Sequence, residues 1–289
     1  MLRDTVASVL AQSVPVEVII VDDGSSDGTA DFLTTAFPPD QFPVRVIHHE
    51  ESAGPTTRRN EAAALASSEY LFTIDDDCLV PSPHTFAQTI AGFDLPRIGA
   101  VTIPFINIRQ SQAVYYKAPD ANDRHISFMY FGGMVAFRRS AYRAVGGYRT
   151  YYFMHAEEPD LSIRLLQAGY VIRLGTADPI HHLESPVRNV KKLHVLGPRN
   201  HLLYHWYNTP MPALLTRMPI SAAGTFLHTI KLRRPDLGAL GLARGVVGIA
   251  HELGRRKPVS REIHSLSRRL SRQSLPFSQV EPLLPPVVE

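Results

Sequence analysis

Cysteine is almost absent from this chain: Cys78 is its only thiol. One thiol excludes an internal disulfide framework and a zinc site built on cysteines, and it points to a reducing, cytoplasmic setting. No run of about 18 uninterrupted apolar residues occurs, so no segment reads as a bilayer span. The amphipathic opening MLRDTVASVLAQ lacks the unbroken apolar core of a signal peptide. Also missing are G-x-x-x-x-G-K-[ST] and any G-x-G-x-x-G after a strand-like run, which argues against a phosphate-loop NTPase and a dinucleotide enzyme. A large net charge is lacking too. The formal value is +3 over 289 residues, too small to point to nucleic acid. With 44% hydrophobic and 20% charged residues, the chain has the stock of one large domain, or of a core domain with an appendage.

The apolar residues fall into alternating blocks. Leu2, Val6, Val9 and Leu10 share one face of an opening helix. VEVIIVDDG (16–24) is a continuous apolar run closed by two Asp and a Gly, the pattern of a strand covered on both faces in a parallel sheet. SSDGTADFLTTAF reads as a helix, VRVIHH (44–49) as a strand, GPTTRRNEAAALASSE (54–69) as a helix and YLFTID (70–75) as a strand. This alternation predicts right-handed βαβ units in an α/β sheet, where ligands bind beyond the carboxyl ends of the strands. PSPHTFAQTIAGF then reads as a helix, IGAVTIPF (98–105) as a strand and 107–126 as a polar loop over the site. FMYFGGMVAFRRSAYRAVGGY (128–148) predicts two short strands about a Gly-Gly kink and then a helix. EEPDLSIRLLQAGYVIRL (157–174) reads as a helix with an acidic first turn, closed by Gly169 and followed by a strand. From about 190 the pattern is helical, and 275–289 is a Pro-rich tail expected to lack fixed structure.

LFTIDDDCLV (71–80) ends a buried-strand pattern in Asp75, Asp76 and Asp77. Clustered carboxylates raise one another's pKa unless a cation shares the site. The triplet is either a solvated turn or a divalent-metal site. Residues two apart on an extended backbone point the same way, so Asp75 and Asp77 converge while Asp76 points elsewhere or toward a ribose. Mg²⁺ and Mn²⁺ are held by one or two carboxylates plus substrate phosphates, and a nucleotide diphosphate would complete such a site. Asp22-Asp23 also ends a strand, so both clusters face one crevice, which favours the metal reading. A calcium loop is excluded: counting from Asp23, the twelfth position is Thr34 rather than Glu.

VDDGSSDGT (21–29), RNEA (59–62), DDD (75–77), GG (132–133) and EEPDLSIRLLQAGY (157–170) occur in the order seen in family 2 glycosyltransferases. Over roughly residues 1–190 the chain resembles these inverting enzymes of the GT-A fold, a mixed, mainly parallel α/β sheet flanked by helices. The resemblance implies that Asp22 and Asp23 contact the nucleoside, that Arg59 and Asn60 help hold the nucleotide, and that Asp75 and Asp77 bind the metal–diphosphate, with Asp76 beside them. The family's acceptor-side Glu-Asp pair falls on Glu157-Glu158; Glu158 is the expected general base and Glu157 the alternative. IHHLESP (180–186) offers His182, or else His181, as a further metal ligand. Asp160 and Arg164, spaced i,i+4, read as a structural ion pair. The family pattern normally begins with a further strand ahead of the first helix, whereas this chain begins within that helix at Met1. The expectation from that departure is either a start further upstream or impaired nucleotide binding.

The expected organisation is a catalytic domain over 1–190, a helical basic appendage over 191–274, and the tail. Residues 231–273 are rich in Lys and Arg, and the helices of 212–256 are too interrupted to span a bilayer but suited to lie on an anionic one, at the inner face of the cell membrane. Packing on the catalytic domain is the other reading of those helices. Tyr204, Trp206 and Tyr207 read as core packing, or else as contacts to an acceptor or a bilayer interface. The leading expectation is an inverting transferase that needs Mn²⁺ or Mg²⁺ and uses a nucleotide-diphosphate sugar donor with a glycan or lipid-linked acceptor. The alternative is a non-catalytic nucleotide-sugar or glycan-binding module of the same fold. A nucleotidyltransferase of related fold is disfavoured, because its Gly-rich amino-terminal loop is absent.

Overall fold

A computed structural model describes residues 1–38, 40–183 and 190–288. The end of the IHHLESP segment, and the residues just before the boundary expected at 190, lie outside the described residues. The strands are β1 (Val18–Asp22), β2 (Val44–His48), β3 (Tyr70–Ile74), β4 (Cys78–Leu79), β5 (Ile98–Thr102), β6 (Phe105–Asn107), β7 (Val114–Tyr115), β8 (His125–Ser127), β9 (Met134–Arg138), β10 (Val171–Arg173), β11 (Ile180–His182) and β12 (Leu275–Pro276). The helices are α1 (Leu2–Leu10), α2 (Thr29–Ala36), α3 (Pro55–Leu65), α4 (Thr85–Ala91), α5 (Arg139–Ala144), α6 (Glu157–Gln167), α7 (Val190–Asn208), α8 (Ala213–Lys231), α9 (Pro235–His251), α10 (Arg261–Leu270) and α11 (Phe277–Val280).

The strands form mixed sheets flanked by helices, as expected. A six-stranded sheet runs β12-β8-β10-β5-β9-β3, a four-stranded one β4-β11-β6-β7, and β1-β2 form a parallel ribbon. The sheets are not mainly parallel: among the described pairings three are parallel and six antiparallel. The difference comes from β9, which returns from the Gly-Gly turn and inserts antiparallel between β3 and β5. Its Met134, Val135, Ala136 and Phe137 are fully buried, so periodicity marks a core strand without stating its direction. β1 departs in another way. Val18–Val21 are half-buried rather than covered on both faces, because among the described residues β1 hydrogen-bonds to β2 alone. The 107–126 stretch is not loop throughout, since β7 and the first residues of β8 lie in it.

The Pro-rich tail is ordered, against expectation. Leu275, Phe277 and Val280 enter the same apolar cluster as Ile98, Val101 and Ile126 of the sheet and Ile263, Leu266 and Leu270 of α10. Prolines leave carbonyls without a partner of their own, and Arg97 donates to the Pro285 carbonyl at 2.8 Å. Further along, Tyr170 Oη donates to the Val288 carbonyl and the Val288 amide to the Ala168 carbonyl. Gly169 ends α6 at φ +82°, where a Cβ would lie 2.7 Å from the Pro285 carbonyl oxygen.

Candidate active site

The site forms where the carboxyl end of β3, the turn before β9 and the amino terminus of α6 meet. Thr73 Oγ1 donates to the Gly132 carbonyl at 2.7 Å, and the Asp75 amide to the Gly133 carbonyl at 3.3 Å. Both glycines allow a close approach of side chains. A Cβ on Gly133 would sit 2.1 Å from Asp75 Cγ, and one on Gly132 would sit 2.6 Å from Arg59 Nη1. The bare backbone lets Arg59, carried on α3, donate to Asp75 Oδ1 at 2.8 Å. The Gly132 amide also hydrogen-bonds to Glu158.

Glu157 and Glu158 open α6, and the chain reaches them through a contorted segment. Phe153, His155 and Ala156 all have positive φ, a conformation that costs non-glycine residues energy and is found where a site over-determines its backbone. Fully buried Asn200 of α7 donates to the carbonyls of Tyr152, Met154 and His155 at 2.7–2.9 Å, closing this segment like a clasp. Sequence reasoning missed this clasp; the Arg-Asn pair at 199–200 was its only signal. Burial, then the charge of Glu158, pushes Glu157 up to about 8. Glu157 Oε2 has no hydrogen-bond partner among the described residues. Burial raises Glu158 as well, opposed by the Gly132 amide and the Arg59 charge. The arrangement is two neighbouring carboxyls whose charges oppose one another, with Glu157 keeping its proton near neutral pH.

Folded Glu157 thus holds a proton, up to about pH 8, that the unfolded chain releases near its ordinary 4.5. The resulting stability is fully present below pH 4.5 and is lost as pH rises through the folded value. In metal-free protein, Glu157→Gln is therefore expected to raise the melting temperature above pH 8 by on the order of 5 °C, and to leave it unchanged near pH 4. Thermal denaturation across that range, followed by circular dichroism, checks this.

A second group lies where β4 and β11 pair. His182 Nε2 is 3.4 Å from Asp77 Oδ1, and Cys78 Sγ stands beside them, all three buried. His182 Nδ1 lies 2.7 Å from Asn107 Oδ1, a contact that orients the ring with Nε2 toward Asp77. Burial, then the charges of Asp75 and Asp77, raises the Cys78 thiol, which stays protonated and serves as wall rather than ligand. One carboxylate and one imidazole fit a divalent cation that takes its remaining ligands from a diphosphate, and the nitrogen donor suits Mn²⁺ better than Mg²⁺. Asp75, expected to converge with Asp77, is turned onto Arg59 instead.

The other expected contacts divide. Asp22 accepts from the Ser25 amide and hydroxyl and faces His48 Nδ1 at 2.8 Å. Burial opposes its ionisation, but these partners outweigh it and hold the carboxyl below the usual range. Asp23 accepts from Ser52 Oγ, the Ala53 and Gly54 amides and Arg58 Nε, which ties the 50–54 turn to the start of α3. Asn60 accepts from Tyr142 Oη and the Tyr148 amide and donates to the Tyr148 carbonyl, bracing the segment behind Arg59. Asp76 is exposed; lost solvation, then Asp77 and Asp75, raises its pKa. Asp160 pairs with Arg149 and Arg164, as its structural reading anticipates. Tyr207 is buried against Tyr152 and Leu203, with Trp206 packed at the same cluster.

Comparison with known proteins bears on this geometry. The family model described as "Glycosyl transferase family 2" matches residues 1–146. The chain is 43% identical over 77 residues to the putative teichuronic acid biosynthesis glycosyltransferase TuaG of Bacillus subtilis, a match covering 26% of this chain and 30% of that protein. It is 26% identical over 245 residues to an N-acetylglucosaminyl-diphospho-decaprenol L-rhamnosyltransferase of Mycobacterium tuberculosis, covering 69% of this chain and 75% of that protein. Matches to TuaG and to the poly-β-1,6-N-acetyl-D-glucosamine synthase of Staphylococcus epidermidis span less than a third of either protein. Among solved structures, the mannosyltransferase PcManGT from Pyrobaculum calidifontis, in complex with GDP-Man and Mn²⁺, aligns with TM-score 0.57 at 18% identity, over 93% of this chain and 80% of that one. S. aureus TarS 1–349 in complex with UDP-GlcNAc aligns with TM-score 0.58 at 13% identity, over 98% and 86%. These structures share the fold, and the family match over half the sequence identifies the lineage: the chain belongs to glycosyl transferase family 2.

Proposed function

We propose that the chain is an inverting glycosyltransferase that moves a sugar from a nucleotide-diphosphate donor to a glycan or lipid-linked acceptor. The observation that carries this reading is the meeting of the Glu157–Glu158 carboxyl pair with the Arg59–Asp75 ion pair across Gly132-Gly133. Glu158, less buried than Glu157 and hydrogen-bonded to a backbone amide, takes the proton of the acceptor hydroxyl. The acceptor oxygen then bonds to the anomeric carbon from the face opposite the leaving group. The bond to the diphosphate breaks, and the nucleotide departs with the electron pair. Glu157, holding its proton, keeps a second negative charge away from Glu158 while the base is free. Arg59 offers positive charge toward the departing diphosphate. Asp77 and His182 would hold Mn²⁺ or Mg²⁺, which supplies charge neutralisation of the diphosphate. The solved neighbours described with GDP-Man and Mn²⁺ and with UDP-GlcNAc support a nucleotide-sugar donor, and the relative named for a decaprenol-linked sugar supports a lipid-linked acceptor.

Calorimetric titration of UDP, GDP and dTDP, with and without Mn²⁺, tests the reading. One nucleotide is expected to bind in a metal-dependent way, and Asp77→Ala is expected to weaken that binding at least about tenfold. Metal-independent binding, or binding indifferent to the substitution, overturns the metal site. A second reading is a non-catalytic nucleotide-sugar- or glycan-binding module of the same fold. Donor binding without product formation would select it.

A further inference from the structure

Helix α9 is built inside out. Its buried residues are glycines only, Gly238, Gly241, Gly245 and Gly248. They bring it against α7 and α8 so closely that a Cβ on Gly241 would lie 2.5 Å from the Val195 carbonyl oxygen, and one on Gly238 would lie 2.0 Å from Thr229 Oγ1. With small residues inward, the large apolar ones face out. Leu240, Val246 and Val247 of α9, and Leu215, Ile220 and Leu227 of α8, are 42–67% exposed. A water-soluble helix buries its apolar stripe; this pair displays one, of the kind that marks an interaction surface. No helix among the described residues is long and apolar enough to cross a membrane.

We propose that the outer face of α8 and α9 seats the protein on an anionic lipid bilayer. Charge decides the occupant. Residues 211–258 carry eight Lys and Arg against two acids, Asp236 and Glu252. Asp236 is taken by Arg234, and Glu252 is buried against Tyr207 and Arg255. Lys231, Arg233 and Arg244 stand exposed beside the apolar stripes. An apolar face rimmed by cations fits a headgroup layer of negative charge over hydrocarbon. Two copies of the face would instead bring like charges together. A cleft of about 480 Å³ between α7 and α8 extends the surface inward. Leu232, exposed at the end of α8, lines it, and so does His155, which precedes the Glu157–Glu158 pair by two residues. The docking stands apart from the transferase reading.

Vesicle flotation of the full chain tests the docking without nucleotide or sugar, so its outcome is separate from that of the transferase reading. Wild type is expected to float with phosphatidylglycerol-containing vesicles at low salt and far less with phosphatidylcholine alone. Val246→Asp/Val247→Asp is expected to reduce flotation at least about tenfold, and Lys231→Glu/Arg244→Glu to remove the preference for anionic lipid. Both variants change exposed side chains and should melt at the wild-type temperature. Failure of wild type to float overturns the proposal, as does equal flotation of the Val246/Val247 variant. A monomer–dimer equilibrium in sedimentation that the same variant abolishes would assign the face to a second copy and overturn it too.

Discussion

Glu158→Gln is expected to lower turnover by about 10²–10⁴-fold while leaving nucleotide binding within about twofold of wild type. The substitution keeps the shape of the side chain and its contact with the Gly132 amide, and removes only the capacity to accept a proton. The loss should therefore fall on kcat, because the proton moves only as the sugar transfers. Glu157→Gln is expected to behave differently. A neutral amide in place of a carboxyl that is neutral until about pH 8 leaves kcat near wild type at pH 7, and removes the alkaline limb that the Glu157 proton imposes. Steady-state pH profiles of both variants with a turning-over donor check the pair. A Glu157→Gln variant more crippled than Glu158→Gln would exchange the two roles.

Asp160→Asn is expected to cost about 3–5 kcal/mol of unfolding free energy, measured by urea denaturation at neutral pH. Asp160 is fully buried three residues into α6, and it accepts from Arg149, Arg164, Tyr152 and Asn208. Removing its charge leaves two guanidinium groups without their counter-ion, far worse than losing one hydrogen bond. Burial opposes ionisation of Asp160, yet the Arg164 and Arg149 charges outweigh it and lower the pKa below the ordinary 3.8. The sign follows: this stability is present above pH 3.8 and lost as pH falls through the folded value. The gap between wild type and Asp160→Asn should narrow in acid. Turnover should fall as well, because the network joins α6 to the loop at Tyr152 and to Asn208 of α7, the frame that aims Glu157 and Glu158.

Where the chemistry is local, it was legible along the chain. An apolar run ending in carboxylates marks the end of a strand, and β3 stops at Ile74, directly before the Asp triplet. Gly132-Gly133 reads as a kink between strands, and the structure shows what that kink admits, the close approach of Arg59 and Asp75. The tail misled for a physical reason. Proline suppresses regular structure but not packing, and Leu275, Phe277 and Val280 found a core formed by residues far away in sequence. The internal partners of Asp22 and Asp23 were not legible, because a free carboxylate and one bonded to His48, Ser52 or Arg58 look alike in a string of letters.

By itself, then, the sequence determined the element order from α1 to β3, the acidic strand ends, the acidic start of α6 and the basic excess beyond residue 230, all set by spacing within about one helix or strand. Tertiary structure alone decided the antiparallel insertion of β9, the turning of Asp75 onto Arg59 rather than Asp77, the clasp of Asn200 on the 152–155 carbonyls, and the outward apolar face of α9. Each of these depends on which groups from distant segments desolvate one another. Periodicity says that a face is apolar, and only packing says whether that face turns toward the core or away from it.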